Sequence, residues 1–449
     1  MNISKSKYMK GLQCQKLLWT VCHAPASLPE ADASAQALFN EGNAVGELAQ
    51  SLFPGGILVE RDGGCGDMLR QTQLLLAERR PIFEATFAAG GVYAQADILN
   101  PTEDGRWDVI EVKMSTGVKP QHIQDVALQR HCYEGAGVPV RNCHLMHINN
   151  QYVRQGALDA RALLAVEDVT GQVAAELPRV AGRVADMQRM LEQRECPTVA
   201  MGPHCTSPYD CPLMSECQAA VAGRNEAAPL TGEMTHNPEA IRDFLGQLVY
   251  PLYLLDFETF MRAIPQLDGA WPYMKMPFQF SLHVVEHLDA DPVHHSWLWD
   301  GAGDPRAVML ATLGKLIGDC GSVLAYFKSF EEGRLNESAA AFPEYADWVR
   351  SLMPRMVDLI VPFRSRAVRH PAQHGSNSLK AVLPALTGAG YEDLEIQDGG
   401  TASADFVRIT CGDATDDERA QVRRNLEAYC GRDTIAMLYL LRKLATLAG

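Results

Sequence analysis

Val92–Lys113 reads VYAQADILNPTEDGRWDVIEVK, and its pattern sets the fold of the first half of the chain. Two apolar-rich runs, Val92–Leu99 and Trp107–Val112, flank a turn rich in Asn, Pro, Asp and Gly (Asn100–Gly105), which predicts a β-hairpin. Asp97 stands near the end of the first strand and Glu111-Val112-Lys113 at the end of the second. Residues two apart on a strand share a face, so Glu111 and Lys113 point the same way, and strand pairing sets Asp97 beside Glu111. Two carboxylates at one spot repel unless a divalent cation lies between them. Such a pair suits Mg2+ or Mn2+ with a substrate phosphate completing the oxygen shell. Lys113 is then placed to orient an attacking water or to offset charge growing on the phosphate oxygens. The ordinary alternative is a turn-entry Asp with a solvated Glu/Lys strand edge.

Outward from the hairpin, Phe83–Phe87 reads as a third strand and Leu145–Ile148 as a fourth. Ala35–Leu52 is an amphipathic helix stopped by Pro54-Gly55-Gly56, and Gln121–Gly135 and Asp159–Gln193 are helical. Helix, meander, helix, strand is an α/β order around a central sheet. In the Gln121–Gly135 helix, Gln129 and Tyr133 are four apart and share a face; Glu47 adds a carboxylate from the early helix. These positions together resemble the RecB-like PD-(D/E)xK nucleases, within them the CRISPR-associated iron–sulfur branch. Glu47, Asp97, Glu111, Lys113, Gln129 and Tyr133 match the motif order over about residues 1–220. The resemblance implies a restriction-endonuclease-like domain that cleaves phosphodiesters with Mg2+ or Mn2+.

Twelve cysteines are many for a chain without a secretory signal, and most are scattered as ordinary buried thiols would be. Cys205, Cys211 and Cys217 differ: they recur at Cys-x5-Cys-x5-Cys in a Pro-rich stretch, a spacing that suits Zn or an iron–sulfur cluster. Cys14 is the candidate fourth ligand. The same branch of nucleases carries one Cys before its core and three after it, which implies a structural 4Fe-4S cluster on Cys14, Cys205, Cys211 and Cys217. Tying Cys14 to Cys205 would close a loop of about 190 residues.

The second half opens with strand Pro251–Phe257, running into Asp256-Phe257-Glu258, an Asp-x-Glu with both carboxylates on one face. Strand Phe278–Glu286, helix Pro305–Ile317, strand Ser322–Tyr326, helix Phe330–Ala340 and a terminal helix Asp416–Ala448 follow. This is a second mixed-sheet α/β pattern. Glu331 follows the middle strand, and Tyr429 and Asp433 lie four apart on the last helix. Carboxylates gathered from separate elements can hold two divalent ions, one activating water and one stabilising the leaving 3′ oxygen, with the tyrosine orienting the water. The three stations resemble the DEDD exonucleases of the ribonuclease H-like superfamily, in the variant with a final Tyr-x-x-x-Asp. Phe327 and Glu331 depart from that pattern, which has Asn and Asp there. Asp358 is a further candidate carboxylate, and Lys380, after His374–Ser378, is placed to meet a phosphate or simply to open a capped helix. A RecB-like half followed by this half also resembles a family of uncharacterised bacterial proteins.

The chain of 449 residues carries 40 Lys+Arg against 55 Asp+Glu, a net charge of −15, which argues against coating nucleic acid by bulk electrostatics. No apolar run is long enough to span a membrane, and a signal peptide is absent, which predicts a cytoplasmic protein. The stretch 221–237 lacks apolar periodicity and sets a boundary. The expected organisation is a restriction-endonuclease-like domain over 1–222, a linker over 223–237, and a ribonuclease H-like exonuclease domain over 238–449. The expected partner is nucleic acid, DNA before RNA. The rival readings are a strand-holding scaffold with an inactive site and an RNA-processing nuclease.

Overall fold

The computed structural model describes residues 2–29, 33–61, 63–222 and 233–449. The chain divides into two compact units, one of Met1–Ala31, Leu38–Glu226 and Ala263–Pro272, the other of Asp32–Ala37, Ala227–Arg262 and Tyr273–Gly449. Each unit is built on a mixed α/β sheet. Of the expected linker, residues 223–232 lie outside the described residues. Its last part contributes a short strand of the second unit and the Asn237 cap of helix Pro238–Leu245.

The first unit's sheet has seven strands: β1 (Ile3–Ser4), β2 (Ile57–Leu58), β3 (Ile82–Ala89), β4 (Val92–Pro101), β5 (Trp107–Lys113), β6 (Val140–Ile148) and β7 (Leu164–Asp168). They run in the order β2-β3-β4-β5-β6-β7, with β1 paired in parallel to the start of β4. β3, β4 and β5 form an antiparallel meander, and β5 pairs in parallel with β6. Along β4 exposure alternates from Val92 to Ile98, whereas β5 is buried from Trp107 to Glu111. Covering on both faces explains the apolar character of β5 and the burial of both its carboxylates, Asp108 and Glu111. Helix Pro120–Gly135 lies against this sheet, with Val126, Ala127, Leu128, Cys132 and Tyr133 in the core beside Val92, Ala94 and Phe87.

The expected helix Asp159–Gln193 is interrupted. Ala160–Leu163 is one turn, β7 follows, and the long helix runs from Thr170 to Leu191. Leu164-Ala-Val-Glu-Asp pairs antiparallel with β6. It is an edge strand that buries only Leu164, so its sequence lacks the apolar signature of a central strand.

In the second unit, β8 (Thr235–His236) pairs with β14 (Val368–Arg369). The main sheet comprises β9 (Leu252–Phe260), β10 (Met276–Val285), β11 (Val293–Leu298), β12 (Ser322–Ala325) and β13 (Met356–Asp358) in the order β11-β10-β9-β12-β13. β11 and β10 are antiparallel to their neighbours, while β9, β12 and β13 run parallel. The 33-residue helix Asp416–Ala448, opened by a Thr415–Glu418 capping box, packs across β9 and β10. It buries Leu426, Tyr429, Cys430, Asp433, Met437 and Leu441. No described helix is long and apolar enough to cross a membrane.

Candidate functional sites

In the first unit the β4–β5 register, Ile98 opposite Ile110, puts Asp97 level with Glu111. Asp97 Oδ2 accepts from the Val112 N–H at 2.7 Å. Glu111 is 1% exposed, and its oxygens are occupied by donors. Oε1 accepts from Lys113 Nζ at 2.5 Å and Lys5 Nζ at 2.6 Å, and Oε2 accepts from Gln129 Nε2 at 2.7 Å. Lys113 also donates to Asp125 Oδ2 at 2.8 Å, and the Tyr133 hydroxyl donates to Gln129 Oε1 at 2.9 Å. Sequence reasoning missed two members of this network, Lys5 and Asp125. Asp125 had a signal: with Gln129 and Tyr133 it forms an i, i+4, i+8 stripe, buried on the helix. Lys5 had none, because strand β1 alone carries it to the sheet.

Burial pushes the Glu111 carboxyl up, but the Lys113 and Lys5 ammoniums outweigh it and hold the group well below the carboxylate range. Asp97 goes the other way. Burial and the Glu111 charge raise it to about 7, against the lowering by both lysines and the Val112 N–H. Glu47 is exposed; it lines, with Asp97, Glu60, Arg61 and Glu84, an open cavity of about 460 Å3. Glu84, unread in the sequence, has φ +57° and an ion pair to Arg61 at 2.9 Å.

In the second unit Asp256 and Glu258 leave β9 on one face, and ligand atoms of Asp256, Glu258 and Cys430 lie within 4.8 Å of one another. Cys430 is fully buried and its thiol is pushed far up by burial and the Asp256 charge. It therefore stays protonated, and its Sγ donates to Asp256 Oδ2 at 3.6 Å rather than binding metal as a thiolate. Asp433 supplies the third carboxylate, its Oδ1 accepting from the Tyr391 hydroxyl. Tyr429 Oη accepts from Lys380 Nζ at 3.0 Å, and Lys380 also lies over the Tyr391 and Tyr429 rings. Tyr391 was not foreseen, having no motif spacing to mark it.

Burial and neighbouring carboxylates, Asp433 foremost, raise Asp256 well above its ordinary range. Burial and Asp433 raise Glu258 to about 8. Burial raises Asp433 to about 6, against the Tyr391 hydroxyl and Lys380. Glu331 is buried, its Oε2 has no hydrogen-bond partner among the described residues, and burial, with Asp358 adding to it, raises it to about 8. Asp358 itself caps a turn, accepting from the Phe327 and Ile360 N–H groups. Hard oxygen donors short of positive charge fit a divalent cation of the Mg2+ or Mn2+ kind.

The expectation of a 4Fe-4S cluster is corrected. Among the described residues, the group of possible metal ligands drawn within 4.8 Å is Asp256, Glu258 and Cys430, with one sulfur and two carboxylates, a donor set unlike the four thiolates of such a cluster. Cys14, Cys205, Cys211 and Cys217 line one small cavity, where Cys14, Cys211 and Cys217 pack with Leu17 and Leu213, a common role of free thiols.

A family model described as a domain of unknown function (DUF2779) matches residues 253–378. That stretch contains Asp256, Glu258 and Glu331 but ends before Tyr391, Tyr429 and Asp433. The chain is 28% identical over 202 residues to an uncharacterized protein, the MG366 homolog of Mycoplasma pneumoniae; the match covers 41% of this chain and 30% of that protein. It is 26% identical over 205 residues to uncharacterized protein MG366 of Mycoplasma genitalium, covering 41% and 31%. The chain thus spans about 30% of the length of these curated relatives. Among solved structures it is similar to SSO0001 at 12% identity and a TM-score of 0.25, covering 49% of this chain and 86% of that one, a likeness too slight to assign a fold.

Proposed function

We propose that the chain is a divalent-metal-dependent nuclease, hydrolysing phosphodiesters of DNA at the Asp256–Glu258–Asp433 carboxylates of a ribonuclease H-like second unit. The observation that carries this reading is the gathering of buried carboxylates: Asp256 and Glu258 of β9 share one ligand-sized group, Asp433 of the terminal helix acts on both, and Lys380 is the cation that offsets Glu258 and Asp433. Asp256, Glu258 and Asp433 would hold the metal, with Glu331 behind them. When bound, the cation would acidify a water and offset charge on the leaving oxygen. The residues' own parts follow from their contacts. Tyr391 and Tyr429 fix the Asp433 carboxylate by their hydroxyls, Cys430 fixes Asp256, and Lys380 holds the Tyr429 oxygen beside the pocket.

The first unit is proposed as a second, restriction-endonuclease-like site on Asp97, Glu111 and Lys113. A strand-holding role has one observation in its favour there, since Lys5, Lys113 and Gln129 already occupy the Glu111 oxygens. The twelve cysteines are all free thiols, in keeping with a reducing cytoplasm.

The test is cleavage of end-labelled single- and double-stranded DNA, and of RNA, with Mn2+ or with EDTA. Metal-dependent cutting of DNA that Asp256→Asn abolishes supports the reading, and loss only with Lys113→Ala moves the activity to the first unit. Cutting of RNA alone supports the RNA-processing alternative. No cutting of any strand, with binding retained, supports the scaffold.

A further inference from the structure

In the second unit, Phe327 combines an unfavourable backbone with an unfavourable side-chain position. Its φ is +72°, a left-handed conformation rare for a bulky residue. The turn is held by its N–H, which donates to Asp358 Oδ1 at 2.9 Å, and by its carbonyl, which accepts from the Phe330 N–H at 3.0 Å. The ring is 49% exposed, so the fold keeps both strain and apolar area in contact with water. Strained residues of this kind cluster at ligand sites. Arg364, also exposed, lies over the ring with Cζ 5.5 Å from its centroid.

The position of the ring gives a reason. Phe327 lies between β12 and helix Ser329–Ala341, whose first turn carries Glu331. β12 pairs in parallel with β9, with Leu324 opposite Leu254, so the turn that carries Phe327 leaves the sheet at the end where Asp256 stands on β9.

We propose that Phe327 and Arg364 form a stacking platform for one nucleobase of a single strand whose phosphodiester lies at the Asp256, Glu258 and Asp433 carboxylates. The proposal rests on the nuclease reading of the second unit and names its substrate as unpaired. Every base has a π-face, and stacking on an aromatic ring backed by a guanidinium is indifferent to sequence. It is also indifferent to net charge, which suits a chain of −15 with no bulk attraction for phosphates. A base inside a duplex has no free face to offer, so a single strand or a frayed end is selected.

The test measures fluorescence anisotropy of a fluorescein-labelled oligothymidylate and of an abasic strand of equal length, with the full chain in Ca2+. The wild type is expected to prefer the thymidylate by about tenfold. Phe327→Asn tolerates the left-handed turn and is expected to lose that preference at an unchanged or higher melting temperature, while Phe327→Trp keeps it. Retention of the preference by Phe327→Asn overturns the platform. Equal binding of both strands by the wild type overturns the platform and leaves the nuclease reading standing, and binding of neither overturns both.

Discussion

The two acidic pockets solve one electrostatic problem in opposite ways. In the first unit Glu111 is as buried as any carboxylate can be, yet two ammoniums and an amide hold it ionised. In the second, Asp256, Glu258, Glu331 and Asp433 are all raised by burial, and Lys380 is spent on Tyr429 and the Gln397 carbonyl. One pocket carries its counter-charge in the chain; in the other the carboxyls hold their protons to higher pH, and under the proposed reading a divalent cation would take the place of those protons.

Substitutions of similar shape should therefore act with opposite sign. Glu111→Gln leaves Asp125 as the carboxylate ion-paired to both Lys5 and Lys113, and removing one member of a buried ion-pair network costs up to about 3–5 kcal/mol. Urea denaturation of the metal-free protein should show that loss. Asp256→Asn removes a repelled charge and should raise the metal-free stability by on the order of 1 kcal/mol while abolishing cleavage at that site. If both variants destabilise alike, the contrast between the pockets is wrong.

Acidity sharpens the same contrast. A carboxyl raised on folding binds its proton more tightly in the native state, so its ionisation opposes folding as pH climbs from the unfolded value near 4 through the folded one. For Asp433 at about 6, and for Glu258 and Glu331 at about 8, that window runs from about pH 4 to about pH 8, and Asp97 at about 7 adds to it. Glu111, lowered by its lysines, has the reverse sign and loses its contribution only in acid. The melting temperature in EDTA should fall by several degrees between about pH 5 and about pH 8, and Mn2+ should flatten the slope. A slope that Mn2+ leaves unchanged would mean that the cation does not reach these carboxylates.

How far each pocket was legible follows from how its members are spaced. Asp97, Glu111 and Lys113 could be read because a hairpin with a marked turn fixes their register, and Asp256 with Glu258 because i and i+2 share a strand face. Helix Asp416–Ala448 was legible to both ends because a capping box opens it and 33 residues keep one apolar face. Lys5, Lys380 and Tyr391 were harder. Each reaches its site by tertiary packing from an element whose local pattern says nothing of the partner, and Lys380 offered only a cap and a charge. The short strands β1, β2, β7 and β13 escaped because two to five residues carry no periodicity. The cysteine spacing misled for the converse reason: it fixes order along the chain, whereas the metal-ligand group drawn together among the described residues is Asp256, Glu258 and Cys430.

The smallest expected effect tests the fine tuning of the second pocket. The Tyr391 hydroxyl donates to Asp433 Oδ1, and this bond opposes the burial that raises Asp433. Tyr391→Phe deletes the donor and little else, so Asp433 should hold its proton to higher pH. A metal ligand must be ionised, and the acid limb of the pH–rate profile should therefore move to higher pH, with the alkaline plateau retained. The lost bond should cost about 1 kcal/mol of stability in EDTA. An acid limb that stays in place would assign that limb to Glu258 or Glu331, neither of which touches Tyr391, and would make the tyrosine a packing residue alone.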